Sequence, residues 1–136
     1  MSECEQKNIM LVDDDEFTNY VNQRFLEISG CGQKISSFIS PSKALEYLKH
    51  NSNFPENLPD LILLDLQMPR MDGFQFLKTF EEFSEIIKRK CMIIILSSSD
   101  SKEDLQKIKE NKYVLSFFEK PLRKEHIELI KKSKPV

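Results

Sequence analysis

Four short apolar runs punctuate the chain, at residues 9–12 (IMLV), 61–64 (LILL), 91–96 (CMIIIL) and 113–118 (YVLSFF). The first three are continuously apolar and too short for helices, the pattern of parallel strands covered on both faces. A weaker fifth strand is predicted over residues 33–38. Helical spacing fills the intervals. Phe17, Val21, Phe25 and Ile28 form the apolar stripe predicted for a first helix, and Phe76, Phe80, Phe83 and Ile87 that of a third. Ser40 is placed to cap a second helix, with Pro41 at its first position. Residues 101–111 give a fourth helix with only Leu105 and Ile108 as large apolar anchors, which makes it the least securely packed. A fifth starts after Pro121 and uses Leu122, Ile127 and Ile130.

Strand and helix thus alternate five times, which implies an open parallel sheet with helices on both faces and right-handed crossovers. The Asn- and Pro-rich stretch HNSNFPENLP (residues 50–59) reads as a mobile loop. At 136 residues the chain fits one domain spanning 1–136, with residues 1–7 and 132–136 as flexible tails.

In such a sheet, ligands gather beyond the carboxyl ends of the strands. The polar residues that end these strands are therefore informative. The first run ends in Asp13, Asp14 and Asp15, the third strand in Asp65, the fourth in Ser97, Ser98 and Ser99, and the fifth in Glu119 and Lys120. Carboxylates brought together repel one another and call for a cation, and oxygen ligands suit Mg²⁺ beside phosphate. Lys120 adds a fixed positive charge and Ser97 a hydroxyl donor, so Asp65 would be surrounded by groups that stabilise a transferring phosphoryl. A carboxylate can itself be the nucleophile, forming an aspartyl phosphate. Each residue also has a structural explanation. Asp15 reads as a helix cap, Ser97–Ser99 as a turn in which Asp100 and Glu103 form a capping box, and Lys120 as a surface lysine. The joint placement at four strand ends favours chemistry.

Composition narrows the alternatives. The 20 basic and 22 acidic residues leave a net charge of −2, so no net field points to nucleic acid or an anionic membrane. No apolar run reaches membrane length and no signal peptide is recognisable, which predicts a cytoplasmic protein. Cys4, Cys31 and Cys91 lack metal-ligand spacing and suit a reducing compartment as structural or neutral residues. Three glycines offer no phosphate-cradling loop. Asp65 has no second Asp two residues on, which argues against an aspartate-nucleophile phosphatase. His50 and His126 lie in charged helical stretches and read as surface residues rather than phosphate donors.

In LVDDDE, LLDLQMPRMDGF, ILSSS and FFEKPL the sequence resembles the receiver domain of bacterial two-component response regulators, stand-alone and CheY-like, over nearly the whole chain. The resemblance implies a flavodoxin-like doubly wound fold, a five-stranded parallel sheet in the order 2-1-3-4-5 with five helices. It implies that Asp65 is the phosphoacceptor and that Asp13, Asp14, Asp65 and the backbone carbonyl of Gln67 hold Mg²⁺. Ser97 becomes the hydroxyl that contacts the phosphoryl group, Lys120 the lysine that binds a phosphoryl oxygen, and Phe117 the switch aromatic, without a hydroxyl to anchor it. The bond to Pro121 is expected to be cis, and Gly73 to supply a permissive residue where the third helix begins. Ser98 stands where Ala or Gly is usual and narrows the pocket, while Gln67 and Ser99 occupy positions thought to tune phosphate lifetime. The implied protein is a signalling phosphoacceptor, with self-phosphorylation and autodephosphorylation chemistry, rather than an enzyme. Its implied partners are a sensor histidine kinase or histidine phosphotransfer protein and a downstream protein, with a homodimer through the face of the fourth helix, fifth strand and fifth helix as a further contact. No output domain is expected after the fifth helix. The rival account is a phosphorylation-independent, receiver-like interaction module.

Overall fold

Five strands, β1 (Asn8–Val12), β2 (Lys34–Phe38), β3 (Leu61–Leu64), β4 (Met92–Ser97) and β5 (Val114–Glu119), lie parallel in the order β2-β1-β3-β4-β5. They are joined by helices α1 (Glu16–Ile28), α2 (Pro41–His50), α3 (Gly73–Glu81), α4 (Glu85–Lys90) and α5 (Lys102–Glu110), and α6 (Lys124–Lys132) closes the fold. This computed structural model describes residues 7–68, 70–98 and 101–132. The parallel sheet is that read from the apolar runs, and its strand order is that implied by the resemblance.

The period of two along each strand divides the core. Met10, Val12, Ile62, Leu64, Ile93 and Ile95 face α2, α3, α4 and α5, whereas Ile9, Leu11, Leu61, Leu63, Ile94 and Leu96 face α1 and α6. Each such side chain, once buried, contributes roughly 1.5–3 kcal/mol. Phe76 and Phe80 of α3 are fully buried on the first side, and Phe80 meets Tyr113 edge to face at 5.8 Å.

Several expectations are corrected. There are six α-helices among the described residues, because the run expected as one third helix breaks. Ser84 takes an extended conformation (φ −61°, ψ 157°) and starts α4. The Phe76, Phe80, Phe83 and Ile87 spacing survives because both pieces pack the same face of the sheet. The stripe expected to bury α1 is largely turned outward: Phe17 is 72% exposed and Ile28 78%, and the helix buries Asn19, Asn22 and Leu26 instead. Asp15 caps this helix, accepting the Phe17 N–H at 3.0 Å, and Asn19 bonds to the strand ends (below), which fixes the rotation against the simple apolar count.

Residues 50–59, expected as a loop, carry local structure of their own. A short 3₁₀ turn (Pro55–Asn57) precedes the buried Leu58, and Tyr47 donates its hydroxyl to the Asn57 carbonyl at 2.9 Å. Lys7, expected in a tail, is buried with Nζ donating to the Ile130 carbonyl at 2.9 Å, and Lys132 belongs to α6. The α5 cap is Ser101, whose hydroxyl accepts the Asp104 N–H; the expected Asp100 cap and Ser99 lie outside the described residues. Ser40 caps α2 with Pro41 behind it, as read. Of α5 only Ile108 is buried, as its sparse anchors imply. His126 is not a surface residue: it is buried and stacked on Phe118 at 4.2 Å, accepting the Arg123 N–H at Nδ1. No helix among the described residues is long and apolar enough to cross a membrane.

Candidate functional site

Beyond the C-terminal ends of β1, β3, β4 and β5, the sheet's hydrogen bonding continues by one step into the loops. The Asp13 N–H donates to the Phe38 carbonyl at 3.1 Å, the Asp65 N–H to the Val12 carbonyl at 2.9 Å, and the Lys120 N–H to the Ser97 carbonyl at 2.9 Å. Backbone bonds thus hold two carboxylates and an ammonium at one edge before any side chain interacts.

Asp13 and Asp65 are buried and Asp14 is exposed. One carboxylate oxygen from each lies within 4.8 Å of the others, a spacing suited to a single cation. Lys120 Nζ is 2.8 Å from Asp13 Oδ2 and 3.6 Å from Asp65 Oδ1. Asp13 Oδ1 accepts the Asp15 N–H at 2.9 Å, and Asp65 Oδ1 accepts the Gln67 N–H at 3.3 Å. Burial, reinforced by the charge of Asp13, pushes the Asp65 carboxyl up to about 6, against the pull of Lys120 and the Gln67 N–H. Burial also acts to lower the Lys120 pKa, but the Asp13 and Asp65 carboxylates outweigh it and hold the ammonium above its ordinary value. One ammonium therefore leaves the Asp65 charge incompletely compensated, and an all-oxygen donor set with surplus negative charge fits a hard divalent cation.

Ser97 ends β4 fully buried, one strand away from Glu119 in register, and Ser98 beside it is exposed. Phe117 is half-buried against the core under α5 and lines, with Leu105, Ile108 and Leu115, a groove of about 460 Å³. The Lys120–Pro121 peptide is cis. At Gly73 the expected reason for glycine is replaced by another. Its φ is not positive; a Cβ there would stand 2.9 Å from Leu66 Cα and 3.1 Å from the Asp65 carbonyl oxygen. Close approach of α3 to the loop after β3 requires glycine here, and the Gly73 N–H donates to the Leu66 carbonyl at 2.8 Å. Asp72 and Gln75 form a reciprocal capping box around this helix start.

Two residues at the site escaped the sequence reading. Thr18 donates its hydroxyl to Asp15 Oδ2 at 2.9 Å, the largest cause of a lowered Asp15 pKa. Asn19 donates its side-chain amide to the carbonyls of Asp13 (3.0 Å) and Phe38 (3.3 Å). The Thr and Asn content of α1 was the available signal, masked by the apolar residues that turned out to face solvent.

Residues 9–131 match the response regulator receiver domain. The chain belongs to that family. This receiver domain is 29% identical over 120 residues to a probable methanogenesis regulatory protein, FilR2, of Methanothrix harundinacea, covering 88% of this chain and 76% of that protein. It is 31% identical to the two-component response regulator ARR7 of Arabidopsis thaliana, covering 91% of this chain but only 60% of the relative. The solved response regulator receiver protein of Dyadobacter fermentans superposes with a TM-score of 0.80 at 26% identity, over 92% of this chain and 95% of that one. The receiver domain is accordingly a two-component phosphoacceptor, a signalling module of a family that generally binds Mg²⁺.

Proposed function

We propose that this receiver domain takes a phosphoryl group onto Asp65 from a phosphohistidine of a sensor histidine kinase or phosphotransfer protein, and switches a protein-interaction face in response. The observation that carries the reading is the convergence of Asp13, Asp14 and Asp65 oxygens within 4.8 Å, with Lys120 bridging Asp13 and Asp65.

Asp13, Asp14, Asp65 and the Gln67 carbonyl would hold Mg²⁺, which supplies charge neutralisation for phosphoryl oxygens. The Asp65 carboxylate attacks phosphorus in line. An O–P bond forms as the P–N bond to the donor imidazole breaks, and the imidazole nitrogen keeps the electron pair. Lys120 shifts from Asp13 to a phosphoryl oxygen, and the Ser97 hydroxyl donates to another. The same pocket accepts small phosphoryl donors and, with water as attacking group, returns the phosphate. A net gain of about one negative charge and new acceptor oxygens then bias α5, which buries only Ile108, and Phe117 turns into the groove beside it.

Exposed apolar residues support two contact areas. Phe17 and Val21 line, with Pro121 and Leu122, a recess of about 200 Å³ next to Lys120, placed for the phosphodonor. Leu115 and Leu129, each about half exposed, lie on the α5–β5–α6 face, placed for a downstream protein or a second copy of the chain. The near balance of charge favours protein over nucleic acid as the output partner, and Cys31 is disulfide-bonded, against the expectation of reduced cysteines.

The test is phosphoryl uptake from acetyl phosphate by wild type and by D65N. Uptake by both places the acceptor elsewhere; uptake by neither favours a phosphorylation-independent interaction module.

A further inference from the structure

Asn19 occupies a costly place. It stands inside α1, where asparagine is a poor helix former, and it is only 3% exposed. Its side-chain oxygen is buried without a hydrogen-bond partner, an unfavourable placement for a polar atom. What this geometry secures is the amide nitrogen's pair of bonds, 3.0 Å to the Asp13 carbonyl and 3.3 Å to the Phe38 carbonyl. Those carbonyls belong to the residue just beyond β1 and the last residue of β2, already joined by the bond from the Asp13 N–H to Phe38. Asp13 is thus held from both sides of its backbone, while its two carboxylate oxygens are committed to the Asp15 N–H and to Lys120.

We propose that Asn19 is a positioning residue for phosphoryl acceptance: it clasps the ends of β1 and β2 so that Asp13 meets both the cation and Lys120. Without the clasp, Asp13 keeps its charge but loses a fixed carbonyl anchor, and the donor set widens. Removing such an outer support typically weakens metal binding by about tenfold or more. The inference rests on the Mg²⁺ reading of the acidic trio, so its test has an arm independent of metal.

The experiment compares wild type, N19A and N19D with I87V, a remote core change that lowers stability without touching the site. Isothermal titration with MgCl₂ is expected to show about tenfold weaker binding for both Asn19 variants and no change for I87V. In metal-free protein, amide hydrogen exchange is expected to accelerate selectively at Asp13, with Leu63 and Ile94 keeping the wild-type rates relative to one another. Mg²⁺ affinity within twofold of wild type in N19A, or loss of protection spread evenly over the sheet, would overturn the proposal and leave Asn19 an ordinary buried polar residue. If wild type itself binds no Mg²⁺, the metal reading fails, and the exchange pattern alone decides the clasp: selective loss at Asp13 supports it and even loss overturns it.

Discussion

Lys120 leans on Asp13 more closely than on Asp65, at 2.8 Å against 3.6 Å. In this arrangement the lysine neutralises the residue expected to bind metal and leaves Asp65, the proposed acceptor, partly uncompensated. In the proposed mechanism, transfer requires a modest lateral shift of this side chain, which the new phosphoryl charge drives. K120M should therefore have two effects. Two buried carboxylates lose their cation, so urea unfolding at pH 7 without metal should report a loss of about 1–3 kcal/mol. Phosphorylation by acetyl phosphate should slow by about a hundredfold, the scale for removing one preorganised electrostatic group.

The acceptor gives a pH signature in metal-free protein. Its carboxyl titrates near 3.8 in the unfolded chain and near 6 in the folded one. Between these values the folded state binds the extra proton, so this group's contribution to stability is full below 3.8 and declines as pH rises toward 6. D65N removes the titration. The stability difference between D65N and wild type, measured by urea unfolding in EDTA, should grow in favour of D65N from pH 4 to pH 7. A difference independent of pH would mean that the carboxyl is not strained by its neighbours.

G73A should disturb the site although glycine here needs no unusual backbone angle. A methyl group 2.9 Å from Leu66 Cα must push α3 from the acceptor loop. Overpacking of this kind costs about 1–3 kcal/mol, and the shift should raise the Mg²⁺ dissociation constant measured by titration. An alanine variant as stable and as metal-avid as wild type would show that the loop yields freely.

The outward turn of α1 separates docking from chemistry. F17A removes an apolar side chain that is 72% exposed beside the Lys120 recess. Transfer from a phosphohistidine protein should slow by about tenfold, the effect of about 1.4 kcal/mol of lost contact. The rate with acetyl phosphate should stay within twofold. Equal slowing with both donors would assign Phe17 to the pocket itself.

Much of this was legible in the sequence because strands buried on both faces announce themselves as continuous apolar runs. The polar residues that end those runs then fall at one edge without further assumption, which is how Asp13, Asp14, Asp65, Ser97 and Lys120 could be named together. Helix rotation was less legible. In α1 the stripe of Phe17, Val21 and Ile28 pointed to the wrong face, because the cap at Asp15 and the Asn19 bonds to two strand ends decide the orientation. The break at Ser84 was hidden for a related reason: α3 and α4 pack the same face of the sheet, so the apolar spacing runs through the interruption. His126 looked polar in context, yet its ring stacks on Phe118 and its Nδ1 serves the start of α6.

The central claim, that Asp65 is a metal-dependent phosphoacceptor, is tested most directly by intact mass after incubation with acetyl phosphate. Wild type with Mg²⁺ should gain one phosphoryl group, and D65N with Mg²⁺ or wild type with the metal chelated should gain none. Uptake by D65N, or undiminished uptake by wild type under chelation, would contradict it. So would failure of wild type to gain the group or to bind beryllofluoride, the stable stand-in for a short-lived phosphoryl.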